Sequence, residues 1–137
     1  MKCYLLDTNI VSYFIRDFNA ALVDQVSRVL MDQSATISVI TRAELRYGQA
    51  GMPAGDKRKR AIDLMLAQLT VLPWTSVAAD ICGPLKNTLK TQGTPIGDMD
   101  TLIAAHALAE KLILVTHNTR HFEKVPGLKL EDWMKTG

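Results

Sequence analysis

Three acidic residues, far apart in the sequence, each stand where a helix is expected to begin. Asp7 follows the run KCYLL, Glu44 lies in TRAELRYGQ, and Asp100 lies in PIGDMDTLIAAHA. If gathered in one place, carboxylates repel one another, by about 4 kcal/mol for a pair 4 Å apart at an effective dielectric of 20. A divalent cation relieves that repulsion, and oxygen ligands without a nearby cysteine suit Mg²⁺ or Mn²⁺ rather than zinc. Such an ion binds phosphates and activates water.

The elements that must position these acids alternate along the chain. The β-prone runs are KCYLL, ATISV, TVLPW, LILVT and LKLEDW, and helical stretches separate them. This alternation predicts an α/β fold, in which crossover units form a short parallel sheet covered by helices on both faces. Ligands bind outside the carboxyl ends of the strands in such sheets, and Asp7, the loop before Glu44 and the segment after LILVT all fall at such ends. The helix in SVAADICGPLKNTLKTQG is predicted to be interrupted at Gly83 and Pro84.

Each acid also has a structural interpretation. Asp7 is a good N-cap for the helix that follows it. Glu44 stands three residues after Thr41, so T-R-A-E matches a capping box. Asp98 and Asp100 lie in the first turn of a helix, where negative side chains favour the helix dipole. Taken together, the acids favour a common site, because each of these helix starts leads into an apolar run rather than an evidently solvated face.

The bulk composition is that of an ordinary globular protein. A chain of 137 residues with 47% hydrophobic residues fits a single domain, residues 1–137, with a real core. Its net charge of +2 neither requires nor excludes a nucleic-acid partner. Cys3 and Cys82 lack the paired spacing of a zinc or redox site, so we expect buried thiols in a reducing cytosol. No membrane span or signal peptide is evident, and we expect a cytoplasmic protein without membrane contact.

Longer strings in the chain resemble a known family. DTN after the first strand, AEL around Glu44, PIGDMDTLIAAHA and LVTHNTRHFEKVPGLKLEDW are together similar to PIN-domain ribonucleases, and most similar to the VapC toxins of bacterial toxin–antitoxin pairs. The strings IG-x-x-D-x-x-IAAHA and VT-x-N-T-x-x-F are specific, whereas DTN alone is weak. The resemblance runs from Asp7 to Trp133 and covers nearly the whole chain.

The resemblance implies a three-layer α/β/α sandwich and an acidic pocket that holds Mg²⁺ or Mn²⁺. Asp7, Glu44 and Asp100 match the first, second and third acids of the family. We expect Asp7 and Asp100 to hold the metal directly, and Glu44 to be a ligand or a base acting through water. Asn118 stands where many relatives have a fourth acid, and it brings no negative charge.

The implied activity is that of a metal-dependent endoribonuclease. It would hydrolyse phosphodiester bonds in structured RNA, with transfer RNA as a frequent target, and leave 5′-phosphate and 3′-hydroxyl ends. The resemblance further implies a small cognate antitoxin, which occupies the acidic pocket or a neighbouring groove, and a homodimer. Met65, Leu66 and Leu69, with Met52, could face such a partner, but their helical spacing favours the core.

Other polar residues are candidates for supporting roles. Those that could orient the ligands or contact substrate are Thr8, Asn9, Arg42, Asp98, Thr116 and Asn118. Thr116 is favoured among them because its strand ends beside Asn118, whereas Asp98 is favoured as a helix cap. The basic run from Lys57 to Arg60 is interpreted first as a solvated face and second as a contact for RNA phosphates.

Competing interpretations stay open at this point. His117 and His121, four residues apart, could share a zinc ion, although no third ligand is obvious. DMDTL resembles an aspartyl-phosphate phosphatase motif, but that motif requires a buried strand where this chain has TPIG. His106 is expected to be a hydrogen-bonded core histidine. The main competitor is a catalytically idle PIN-like module that binds protein or RNA, and the neutral Asn118 is its best support.

Overall fold

The computed structural model describes residues 3–16 and 19–134, and a parallel sheet of five short strands lies at its centre. The strands are β1 (Tyr4–Leu6), β2 (Ala35–Ser38), β3 (Thr70–Leu72), β4 (Ile113–Val115) and β5 (Leu130–Glu131). Their spatial order is β3-β2-β1-β4-β5, with every neighbouring pair parallel. Leu5 of β1 pairs with Thr36 of β2 on one side and with Leu114 of β4 on the other. The predicted parallel sheet is therefore confirmed.

Helices in the described part of the chain cover both faces of this sheet. They are α1 (Thr8–Ile15), α2 (Ala20–Met31), α3 (Val39–Ala50), α4 (Lys57–Gln68), α5 (Ser76–Thr91), α6 (Asp98–Glu110) and α7 (Thr119–Phe122). Most begin at a residue whose side chain accepts a hydrogen bond from the first turn, as Asn19 does for α2 and Asp56 for α4. Such caps fix where each helix leaves its preceding strand or loop.

The two faces have separate apolar cores, because successive side chains of a strand point to opposite faces of the sheet. Leu6 of β1 packs into one core with side chains of α1, α2, α3 and α4, whereas the preceding Leu5 packs into the other with α5, α6 and α7. Val115 and Leu114 of β4 divide between the two cores in the same way. The three-layer α/β/α sandwich is confirmed.

Helix α5 shows that one local prediction is wrong. It runs without a break through Gly83 and Pro84, with the proline inside the helix. Pro84 has no amide hydrogen to donate to the carbonyl of Asp80, four residues earlier in the helix. Gly83, Pro84 and Asp80 are all exposed, so water can bind that carbonyl instead. The buried Leu85 and Leu89 hold the second half of the helix in the core. Burial on one face therefore keeps the segment helical on both sides of the exposed proline.

Other expectations about burial are met in part. Met65, Leu66 and Leu69 are core residues, as their spacing favours, and Met52 is only partly buried beside them. Cys3 and Cys82 are half-buried rather than buried. No helix within residues 3–16 and 19–134 is both long enough and apolar enough to span a bilayer.

Candidate active site

The three predicted acids lie at the carboxyl edge of the sheet. Asp7 directly follows β1, and Glu44 lies in the second turn of α3, which directly follows β2. Asp100 lies in the first turn of α6, and Thr116 directly follows β4. Parallel strands all end at the same edge, so the fold gathers here residues that are distant in the sequence.

Asp7 is almost fully buried, with 7% of its surface exposed. Its Oδ1 accepts a hydrogen bond from the Ile10 amide at 2.8 Å, so it does cap α1, and the hydroxyl of Thr116 donates to the same carboxylate. Burial raises the pKa of Asp7 from 3.8 to about 6, although both hydrogen bonds act to lower that pKa. Its capping role and a catalytic role are therefore compatible, and a strongly perturbed buried acid is typical of functional sites.

Glu44 is held by a neighbouring helix and not by its own helix cap. Oγ1 of Thr8 donates a hydrogen bond to Oε1 of Glu44 at 2.5 Å and lies 3.1 Å from Oγ1 of Thr41. The capping-box interpretation is wrong, because Ser38 is the N-cap of α3 and accepts from the Ile40 amide at 3.0 Å. Thr41 instead lies buried inside the helix. The Glu44 carboxylate is thus tied to the residue that follows Asp7 in the chain.

Asp100 is paired with a histidine. Its Oδ2 lies 3.0 Å from Nε2 of His121 in α7, and the same nitrogen lies 2.7 Å from the carbonyl oxygen of Ile96. With 44% of its side chain exposed, Asp100 stays accessible to a ligand. Sequence patterns presented His121 only as a zinc candidate. His121 lies one helical turn beyond Asn118, in the segment that follows β4 at the carboxyl edge of the sheet. This position in the sequence could have assigned His121 to the site.

Two other carboxylates act electrostatically on Asp7. Burial is the largest cause of its raised pKa, and the negative charges of Asp100 and Glu44 raise that pKa further. No three His, Cys, Asp or Glu side chains among the residues described form a ready-made metal-binding group. Mg²⁺ typically takes only one or two carboxylates and keeps several waters, so an oxygen-only set with this mutual repulsion fits that ion. Zinc prefers nitrogen and sulfur ligands, and the three acids supply neither.

The zinc interpretation is wrong for a second reason, because the two histidines have different partners. Nδ1 of His117 lies 3.0 Å from Oδ2 of Asp132, whereas His121 contacts Asp100. His106, by contrast, is the hydrogen-bonded core histidine that was expected. It is fully buried, and its Nδ1 lies 2.7 Å from Oγ of Ser38.

Comparison with known proteins assigns a family to this geometry. A family model described as the PIN domain matches residues 4–128. The chain belongs to the PIN-domain family. It is 37% identical over 132 residues to the Ribonuclease VapC1 of Haemophilus influenzae (strain R2866). The aligned region covers 96% of this chain and 98% of the relative. The chain is 35% identical over 133 residues to the tRNA(fMet)-specific endonuclease VapC of Shigella flexneri, and the aligned region covers 97% of this chain and 99% of that relative.

Solved PIN-domain structures share the whole fold. The DNA-bound VapBC of Salmonella typhimurium matches with a TM-score of 0.89 at 32% identity, covering 97% of this chain and 99% of that chain. VapBC2 of Rickettsia felis, bound to a promoter DNA fragment, matches with a TM-score of 0.87 at 32% identity, covering 96% and 98%. The predicted resemblance to VapC ribonucleases of the PIN-domain family is confirmed.

The supporting residues of this PIN domain divide into two groups. Thr8 and Thr116 contact the acids directly, as described above. Asn9 and Asn118 are exposed and line, together with Asp7, a cleft of about 250 Å³. All four lie beside the acids, and their supporting roles stay a prediction.

Asp98 and Arg42 have no such contact. Oδ1 of Asp98 lies 3.0 Å from Nζ of Lys86, and 81% of its side chain is exposed. The N-cap of α6 is Gly97, whose φ of 91° suits glycine, so the predicted capping role of Asp98 is wrong. Arg42 is half-buried on α3. In the basic run, Arg58 pairs with Asp56 at 2.7 Å, in keeping with a solvated charged face.

Proposed function

We propose that this chain is the toxin of a toxin–antitoxin pair and acts as an endoribonuclease that depends on Mg²⁺ or Mn²⁺. One observation carries the proposal: the fold brings Asp7, Glu44 and Asp100, from three separate segments of the chain, to the carboxyl edge of the sheet, where Asp7 is buried. The names of the VapC relatives support RNA as the substrate, and the tRNA(fMet)-specific relative supports transfer RNA. The whole chain would form the single catalytic domain.

Asp7 and Asp100 are the residues that would hold the metal, with Glu44 reaching it directly or through water. When bound, the ion would offset the charge of the phosphate and lower the pKa of the attacking water. The raised pKa of Asp7 supports this assignment, because a nearby cation would restore the ionised form that burial disfavours.

The remaining side chains have orienting roles in this proposal. Thr116 and the Ile10 amide bind the Asp7 carboxylate, Thr8 binds Glu44, and His121 binds Asp100. Glu44 is the candidate to take a proton from the attacking water. Water then bonds to phosphorus, the bond to the 3′ oxygen breaks, and that oxygen takes up a proton. The products are a 5′-phosphate end and a 3′-hydroxyl end, without a covalent enzyme intermediate.

The alternative is a catalytically idle module that binds RNA or protein. Asn118 favours it, because this exposed amide adds no charge beside Asp7. Metal-dependent cleavage of transfer RNA by the wild type separates the two proposals. Cleavage that is lost with EDTA and in Asp100→Ala, but kept in the exposed α2 control Asp24→Ala, would reject the idle module. RNA binding without any metal-dependent cleavage would reject the nuclease.

The substrate is best identified in cells. Wild type and Asp100→Ala would be induced in parallel, and the 5′-phosphate ends of the RNA pool sequenced. Ends that cluster at defined positions of transfer RNAs only in the wild type would support the proposal. Identical end profiles from the two proteins would contradict it.

A cognate antitoxin is the proposed partner, since solved relatives are VapBC complexes. A groove of about 230 Å³ adjoins the acidic cleft, because Asn9 lines both. The groove is formed by α1, α3 and the α4 region and is lined by Asn9, Ser12, Ile15, Arg16, Leu45, Met52, Arg58 and Ile62. Apolar floors with polar rims receive amphipathic partner helices. Met52→Glu should weaken antitoxin binding, whereas Met31→Glu, at an exposed position of α2 outside the groove, should leave that binding unchanged.

A homodimer is the proposed assembly. Val39 and Tyr47 lie two turns apart on one face of α3, with 39% and 85% of their surfaces exposed. Apolar and aromatic side chains exposed in this way are typical of subunit interfaces. Sedimentation should detect a dimer of the wild type and a monomer of Tyr47→Asp. A monomeric wild type would contradict the proposal.

A further inference from the structure

The cleft beside Asp7 contains side chains that the proposed hydrolysis does not use. It is lined by Asp7, Asn9, Tyr13, His117 and Asn118, and its volume is about 250 Å³. Asn9 and Tyr13 come from successive turns of α1, while His117 and Asn118 come from the loop after β4. The cleft therefore extends from the buried acid out to an aromatic wall.

His117 is exposed but fixed in orientation. Its Nδ1 lies 3.0 Å from Oδ2 and 3.3 Å from Oδ1 of Asp132. The side chain of Asp132 is only 4% exposed and also accepts a hydrogen bond from the Met134 amide at 2.9 Å, whereas that of His117 is 51% exposed. A buried carboxylate thus holds an imidazole that faces solvent at the cleft. A ring held in this way is preorganised to receive a flat ligand.

Tyr13 completes an aromatic corner with His117. The two ring centroids lie 6.3 Å apart, and the ring planes are nearly perpendicular at 86°. The guanidinium carbon of Arg16 lies over the Tyr13 ring, 5.4 Å from its centroid. Because Arg16 covers part of Tyr13, the half-exposed His117 offers the more accessible stacking surface.

We propose that this cleft binds one unstacked nucleobase of the RNA strand. The base belongs to a nucleotide that adjoins the phosphate held at Asp7, Glu44 and Asp100. Proteins recognise single-stranded RNA by stacking bases on aromatic or histidine rings and by bonding the base edges. His117 supplies the ring here, and the exposed amides of Asn9 and Asn118 supply donors and acceptors for a base edge. Asp132 is the positioning residue for the His117 ring.

The dimensions of the cleft favour a single base over a larger ligand. Its volume of about 250 Å³ falls below the range of about 300–1,000 Å³ that is usual for whole small-molecule ligands. Because Asp7 is among the residues that line the cleft, a base bound here would place its own phosphate near the acids. This inference rests on the proposed nuclease function, because it takes the substrate to be RNA.

The binding test uses single-stranded RNA hexamers in which one 2-aminopurine is moved through successive positions. Binding is measured in EDTA so that no strand is cut. In the wild type, the fluorescence of 2-aminopurine at one position should change on binding. His117→Ala should weaken binding by about tenfold and abolish that signal, in line with the loss of one base stack.

Two further variants separate stacking from a structural role of the histidine. The double variant His117→Phe with Asp132→Asn keeps a flat ring and removes the unpaired buried charge, but it lacks the hydrogen bond that holds the ring. It should therefore restore part of the binding that His117→Ala loses. Met31→Ala changes an exposed residue at the end of α2 that does not line the cleft, and it should bind as the wild type does. Melting temperatures of all variants would be compared to identify misfolding.

The outcomes distinguish this inference from the nuclease proposal. If wild type cuts RNA with Mg²⁺ but His117→Ala binds the hexamers unchanged, the base site is wrong and the nuclease stands. Failure of the ring-retaining double variant to restore binding would also overturn the base site. If wild type never cuts RNA yet shows the position-specific signal that His117→Ala removes, the base site stands and the nuclease proposal fails.

Discussion

Oγ1 of Thr8 donates a hydrogen bond to Oε1 of Glu44 at 2.5 Å, and this bond joins the first turn of α1 to the second turn of α3. Thr8 follows Asp7 in the chain, so the bond couples the positions of two of the proposed catalytic acids. A similar coupling links the third acid to α7 through Nε2 of His121, which lies 3.0 Å from Oδ2 of Asp100. The acids are therefore oriented by contacts between helices at the carboxyl edge of the sheet.

Thr8→Val should reduce RNA cleavage without unfolding the protein. The substitution keeps a β-branched side chain of similar shape but removes the hydroxyl that orients Glu44. Loss of such an orienting contact typically costs about 10- to 100-fold in activity or metal affinity. Thr8→Ser retains the hydroxyl and should retain most of the activity. Equal activity of the valine and serine variants would show that the hydrogen bond does not matter.

His121→Ala should weaken Mn²⁺ binding by about tenfold or more, because Asp100 then lacks its orienting partner. Calorimetric titration of the metal gives this readout independently of cleavage. His121→Gln offers a side-chain amide that can still donate to Asp100, and it should recover part of the affinity. Arg120→Ala, at the adjacent exposed position of α7, is the matched control. Unchanged metal affinity of His121→Ala would contradict the positioning role.

The elements of the fold were largely predictable because their signals are local. Short apolar runs alternating with helical patterns predicted the parallel sheet, and neighbouring residues such as Leu5 and Leu6 divide between its two cores as the strand period requires. Errors arose where tertiary context decides. Ser38, and not Thr41, is the N-cap of α3. Burial of Leu85 and Leu89 keeps α5 helical across Pro84.

The candidate site was predictable to a different degree. That Asp7 and Glu44 fall at one edge follows from the parallel strands that precede them. Asp100 does not follow a strand, and it is predicted from its place at a helix start and from the family resemblance. The contact between His121 and Asp100 depends on how α7 approaches the start of α6, which no local pattern contains. The pairing of His117 with Asp132 likewise spans separate segments of the chain. Side-chain partners across elements require the assembled structure.

Asp7→Asn should stabilise the metal-free protein at neutral pH. The folded pKa of Asp7, about 6, lies above the ordinary 3.8, so the folded state holds this proton more tightly than the unfolded state. Stability of the wild type should therefore fall as pH rises from about 4 to 6, by about 3 kcal/mol for this group, and stay lower above pH 6. Asparagine can still cap α1 and does not ionise.

Denaturant unfolding at pH 4 and pH 7.5, in EDTA, tests this expectation. The advantage of Asp7→Asn over the wild type should be small at pH 4 and largest at pH 7.5. Added Mg²⁺ should then stabilise the wild type more than the variant. A variant that is less stable than the wild type by the same amount at both pH values would show that Asp7 is ordinary in its ionisation.

Ser38→Ala should destabilise the fold by about 2–4 kcal/mol. The substitution removes the N-cap of α3, worth about 1 kcal/mol, and leaves Nδ1 of the buried His106 without its partner, which costs about 1–3 kcal/mol. Thr75→Ala is the matched control, because Thr75 is the N-cap of α5 but makes no side-chain capping bond. Similar unfolding free energies for the two variants would contradict the account of Ser38.

The most direct test of the shared acidic site is a calorimetric titration of Mn²⁺ into the wild type and into the single variants Asp7→Asn, Glu44→Gln and Asp100→Asn, with Asp24→Asn as the exposed control. We expect Mn²⁺ to bind to the wild type and to the control. Neutralising Asp7 or Asp100 should weaken that binding by at least about tenfold, with a smaller effect at Glu44. No uptake by the wild type, or equal affinity in all five proteins, would contradict it.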